Sequence, residues 1–136
     1  MRTIHLHAVI ETAETNYAAY IEEITGVAAT GHTLAEVKAG LLDALDFLVE
    51  SCIEDGDEIP AELQGDYVID FRMDVRSFLS VYSGIFTKSG LERLTGINQK
   101  QLWHYANGKS VPRRAQVLRI EEALHRLGEE LLSIHL

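Results

Sequence analysis

Residues 2–11 alternate in polarity. Arg2, Ile4, Leu6, Ala8 and Ile10 fall on one side, and Thr3, His5, His7, Val9 and Glu11 on the other. A period of two predicts a strand with one buried face. The polar run Glu11–Asn16 turns the chain. Tyr17–Ile24, which carries Tyr17 and Tyr20, predicts a second strand, Thr25-Gly26 a turn, and Val27–Thr30 a short third strand. Thr33 stands three residues before Glu36, the spacing of a capping box. Leu34, Val37, Leu41, Leu45, Leu48 and Cys52 then recur at steps of three and four, one apolar stripe on a helix of about 20 residues. Gly40 within it marks close packing on the sheet. Glu54–Asp66 predicts an acidic loop, and the alternation of Tyr67, Ile69, Phe71 and Met73 a fourth strand.

The order is thus βββαβ. A long helix between the third and fourth strands suits a crossover that returns the last strand parallel to a neighbour. It covers one face of the sheet. The other face, with His5, His7 and one tyrosine-bearing row, is left open as a surface for self-association or a partner.

From residue 75 the period changes to that of helices. Val75, Phe78, Leu79 and Tyr82 predict a short helix broken by Ser83-Gly84. Thr87 caps a helix from Lys88 to Thr95, Gly96 ends it, and Asn98, three residues before Gln101, caps a helix reaching about Asn107. Gly108 falls at its C′ position, and Ser110 and Pro112 open a last helix. On that helix Val117, Ile120, Leu124, Leu127, Leu131 and Ile134 form a stripe with near-heptad spacing, read as domain core with a dimer seam as the alternative. Trp103 follows Leu102 and is assigned partial core packing.

Charge divides at the same place. The 136 residues carry a net −9, yet residues 1–73 hold three basic and fifteen acidic side chains, whereas residues 76–119 hold eight basic ones and a single acid, Glu92. The average argues against nucleic acid as a partner, but the segregation argues for two modules with different partners. The fold class is therefore α+β, an acidic domain over 1–73 followed by a basic all-α domain over 74–136. The apolar stretches are too short to span a membrane, and Met1–His5 lacks the apolar core of a signal peptide. The lone Cys52 cannot form an intramolecular disulfide, and its place on the stripe makes it a buried small hydrophobe. A cytoplasmic location is expected.

Leu91–Leu102 resembles a helix-turn-helix of the phage-repressor, Xre-like type. Leu91, Leu94, Ile97 and Leu102 hold the apolar positions that close a tight helix pair, and Gly96 supplies the positive φ of the turn. Glu92 stands where that pattern prefers Ala. The trailing Gly108-Lys109 and Pro112 resemble the loop after the recognition helix. On this reading Lys88, Lys100, Lys109 and Arg113 contact phosphates, and Gln99, Gln101, His104 and Asn107 face base edges.

Tyr17–Tyr20, Gly31–Glu36, Phe86–Tyr105 and Arg119–Gly128 together resemble the HicB antitoxin family of toxin–antitoxin systems, over nearly the whole chain. The resemblance implies a partial RNase H-like fold over 1–73 and a DNA-binding helix-turn-helix domain over 74–136. It implies binding of a small HicA-type, mRNA-cleaving toxin, and repression of its own operon through double-stranded operator DNA. Val27–Ala29 departs from it where many members place a Cys.

An RNase H-like fold raises the question of catalysis. Active members converge several carboxylates on two metal ions. The middle of the first strand offers Leu6, His7 and Ala8, so no catalytic residues and no cofactor are expected. His5 and His7 share a strand face but lack a third ligand, so they are read as polar surface residues and no metal is assigned. The acidic run Glu54–Asp66 is read as a solvated loop, with docking of a basic toxin as the alternative; toxin-contacting residues are not assigned. One recognition helix makes too few contacts for a specific operator, so a homodimer or higher oligomer is expected. The rival reading is a ligand-sensing transcription regulator without a toxin.

Overall fold

The computed structural model describes residues 2–136. It is a mixed α+β structure with one four-stranded sheet and five helices. The chain divides into two compact units, Met1–Met73 and Asp74–Leu136.

In the first unit β1 (Ile4–Thr12), β2 (Tyr17–Ile21) and β3 (Ala28–Gly31) precede α1 (Leu34–Asp55), a single 3-10 turn at Ala61–Leu63, and β4 (Tyr67–Arg72). The sheet order is β3-β2-β1-β4. β1 pairs antiparallel with β2, β2 antiparallel with β3, and β4 parallel with β1, Leu6 opposite Ile69. A parallel return needs a long crossover, and α1 supplies it. Leu6, Ala8, Ile10, Ala19, Ile21 and Ile69 line the covered face and meet Val37, Leu41 and Leu45, each fully buried. Burying a leucine of this kind stabilises by about 1.5–3 kcal/mol.

Local chemistry sets the start of α1. Thr33 Oγ1 accepts from the Glu36 N–H, and the Glu36 carboxylate accepts from the His32 N–H at 2.7 Å. The box therefore closes one residue further back than its spacing implies. His32 Nδ1 also donates to the Thr15 carbonyl, tying the β1–β2 turn to the helix start. Gly31 is required by space: a β-carbon there would stand 2.8 Å from Glu36 Cβ and 3.1 Å from the Val37 nitrogen. Gly40 lets α1 approach β3, since its β-carbon would meet Ala29 Cβ at 3.0 Å.

Three features depart from the sequence reading. β2 stops at Ile21 because its N–H bonds to the Val27 carbonyl, closing a packed loop over buried Ile24 and Val27, with Gly26 at φ 88°. The acidic loop is shorter than expected, because α1 continues to Asp55 and Leu63 is buried as an anchor. Cys52 is half-buried, as the last turn of α1 runs past the core.

The second unit is all helical: α2 (Val75–Val81), α3 (Lys88–Thr95), α4 (Gln99–Ala106) and α5 (Arg114–Leu132). Asp74, Thr87 and Asn98 each accept a hydrogen bond from the first turn they cap. Leu79, Leu91, Ile97, Leu102, Tyr105 and Ile120 form the core. α5 begins at Arg114, two residues after Pro112. Its stripe is split: Ile120 is buried and Leu124 packs on the core, while Leu131 and Ile134 are exposed. Among the described residues, no helix is long and apolar enough to cross a membrane.

Candidate functional site

The helix pair α3–α4 is built around Gly96. This residue caps α3 in the left-handed region at φ 74°, and its N–H donates to the Glu92 carbonyl. Ile97 is buried between the helices, and Thr95 Oγ1, itself buried, donates to the Leu91 carbonyl and accepts from the Ile97 N–H. The turn is thus fixed by one glycine, one apolar plug and one satisfied hydroxyl. Asn98 then starts α4 by accepting from the Lys100 N–H.

The predicted contact residues fall into two groups. Lys100, Lys109 and Arg113 are exposed, and Lys88 is half-buried at the first position of α3. Lys109 lies in the loop that follows α4, and Arg113 is the residue before α5. The four polar candidates are more constrained. Gln99 is exposed, and its amide donates to the Glu92 carboxylate at 3.1 Å. Gln101 is half-buried and donates to Ser110 Oγ at 3.0 Å, so it braces the loop after α4 rather than closing a capping box on Asn98. His104 is half-buried, its ring edge-on to Trp103. Asn107 caps the end of α4 and donates to the Trp103 carbonyl. Trp103 departs from its expected packing: it is 48% exposed, because Leu102 and Tyr105 take the core-facing positions of α4.

Two cations of the basic window have a different setting. The Arg119 guanidinium lies against Gly96, and that of Arg76 against Gly108, at the ends of α3 and α4. Positive charge at a helix C-terminus opposes the negative end of its dipole. Neither role was visible in the sequence, since each arginine is far along the chain from its glycine.

The open face of the sheet is the second place where chemistry gathers. It does not pair His5 with His7. His5 Nδ1 meets Asp70 Oδ2 at 2.7 Å, and His7 Nδ1 meets Glu23 Oε2 at 2.6 Å. The His7 N–H also donates to Glu23 Oε1 at 2.8 Å. Partial burial raises the Glu23 pKa, but these bonds from His7 outweigh it and hold the carboxyl below its ordinary value. Glu22 lies beside the pair, 3.8 Å from Arg72 Nη1. One ligand atom from each of His7, Glu22 and Glu23 lies within 4.8 Å of the others. The sequence reading missed both glutamates, since consecutive residues of a strand point to opposite faces.

Comparison with known protein families, curated proteins and solved structures returned no match.

Proposed function

We propose that the chain is a two-module regulator: a DNA-binding helix-turn-helix unit joined to an acidic protein-binding unit. More particularly, we read it as an antitoxin of the HicB type, non-catalytic, which neutralises a small basic HicA-type RNase and represses its own operon. The observation that carries this reading is the partition of charge between two compact units. The helical unit, residues 74–136, holds nine cations and six acids, with eight of those cations and one acid concentrated in 76–119, whereas residues 1–73 hold fifteen acids and three cations.

The geometry of the basic unit supports the DNA half of the reading. α3 and α4 are joined by a short turn at Gly96 over buried Ile97, which is compatible with a helix-turn-helix, and Lys100, Lys109 and Arg113 are exposed cations with no acidic partner among the described residues, available for phosphates. Gln99, Gln101, His104 and Asn107 remain the proposed base readers. Gln99, Gln101 and Asn107 would have to exchange internal hydrogen bonds to reach a base. For the acidic unit, the strand order and the α1 crossover are compatible with a partial RNase H-like sheet. Its net charge suits a basic partner. The exposed end of the α5 stripe and the open sheet face are the surfaces proposed for self-association.

The test is co-expression with the product of the adjacent gene, followed by pull-down and growth rescue. The reading expects capture of a very small basic RNase, growth rescue by residues 1–73, and specific binding of the full chain to its own promoter. Rescue by residues 74–136 but not by 1–73 would overturn the division of labour. Specific promoter binding with no toxin captured would favour the ligand-sensing regulator.

A further inference from the structure

The geometry points to a binding site for a single zinc-class divalent cation on the open sheet face, held by His7, Glu22 and Glu23. It stands apart from the DNA- and toxin-binding reading and rests on the side-chain arrangement alone.

A strand would send Glu22 and Glu23 to opposite sides. Here β2 ends at Ile21, and the Glu22 N–H bonds back to the His7 carbonyl at 3.0 Å. The chain then bends, and both carboxylates come beside the His7 ring. The bend is anchored by Ile24 and Val27, 6% and 5% exposed, and by the Ile21–Val27 hydrogen bond. His7 itself sits on β1, paired on both sides in the sheet. The donors are therefore supported by packed backbone, the condition for a preorganised metal site.

The charge balance also favours a cation. Two carboxylates face one imidazole, and the nearest guanidinium, Arg72, is 3.8 Å from Glu22 and largely exposed. The side chains of His7, Glu23 and Glu22 are 29%, 27% and 38% exposed, which leaves room for water in the remaining coordination positions. One nitrogen and two carboxylate oxygens suit a borderline ion such as Zn2+ better than the all-oxygen preference of Mg2+ or Ca2+. To admit the ion, the 2.6 Å contact between His7 and Glu23 must open by a fraction of an ångström, since the metal sits about 2.0–2.2 Å from each ligand atom. His5 and Asp70 pair with each other and lie outside the set.

The experiment uses the full chain, stripped with chelator and titrated calorimetrically with Zn2+, with Co2+ absorption as a second readout of the same site. One ion per chain is expected at micromolar zinc. Glu22→Gln, which keeps the size of the side chain, should weaken binding by about tenfold or more with an unchanged circular dichroism spectrum. His7→Ala should abolish the Co2+ band. His5→Asn and Asp70→Asn should bind as the unaltered chain does, and Arg72→Gln should bind more tightly. The proposal is overturned if the chain takes up no zinc, if Glu22→Gln binds as well as the parent, if binding follows His5, or if Mg2+ competes on equal terms. Failure here would leave DNA and toxin binding untouched, so the two readings are judged separately.

Discussion

The Gln99 amide donates to the Glu92 carboxylate at 3.1 Å, joining the first residue of α4 to the middle of α3. Glu92 is the only acid among residues 76–119, so this bond holds the one negative charge of the basic window against a proposed base reader. Glu92→Ala should free Gln99 and remove a repulsion with phosphate. Binding to unrelated DNA should rise roughly two- to fivefold, as expected for losing one like charge at a wet surface. Fluorescence anisotropy with scrambled duplexes measures it; weaker binding would place α4 away from the phosphates.

Lys100 and Lys109 are exposed, with no acidic partner among the described residues. Changing either to Ala should lower affinity for operator and scrambled DNA alike and reduce the salt slope by about one. A salt titration on both duplexes checks this. An unchanged slope for both variants would mean that α4 and its loop are not the elements at the backbone.

Gln101 donates to Ser110 rather than standing free. Gln101→Ala and Ser110→Ala should therefore cost similar stability, about 0.5–1.5 kcal/mol each. As a proposed base reader, Gln101 should in addition lose about 1–3 kcal/mol on the operator and little on scrambled DNA when changed to Ala, a loss that Ser110→Ala should not share. Chemical denaturation beside binding on both duplexes separates the two.

Leu102 is fully buried in the core of the second unit. Leu102→Ala should destabilise that unit by about 2–5 kcal/mol. Urea unfolding of the helical unit measures it. A loss below 1 kcal/mol, on the order of a surface substitution, would contradict the packing described.

Burial raises the Tyr67 pKa, and the Asp46 carboxylate adds to the effect. In the unfolded chain Tyr67 ionises near its ordinary value of about 10. The sign follows: a group with a raised folded pKa gives stability that is present below the unfolded value and is lost as pH rises through the folded one. The first unit should weaken in that alkaline window, and Tyr67→Phe should flatten the decline. Denaturant midpoints measured on either side of pH 10, the ordinary tyrosine value, test it.

The elements of this protein were largely legible in the chain because their causes are local. The alternation over residues 2–11 and the stripe from Leu34 reflect which side of a strand or helix is buried, and that pattern repeats every few residues. Thr33, Thr87 and Asn98 cap helices by bonding within three residues of themselves, and Gly96 supplies its turn from its own φ. The sequence extends β2 to Ile24 because Tyr17, Tyr20, Ile21 and Ile24 make the run rich in strand formers, while the bond from Ile21 to Val27 and the burial of Ile24 end it at Ile21. The chemistry needed the tertiary structure throughout. His5 meets Asp70, sixty-five residues away, only because α1 returns β4 beside β1. His7 gains two carboxylates only because the chain bends after Ile21, and Arg119 reaches Gly96 only because α5 packs on α3. Periodicity names the face on which a side chain lies, but which distant side chain shares that face depends on how the segments are laid together.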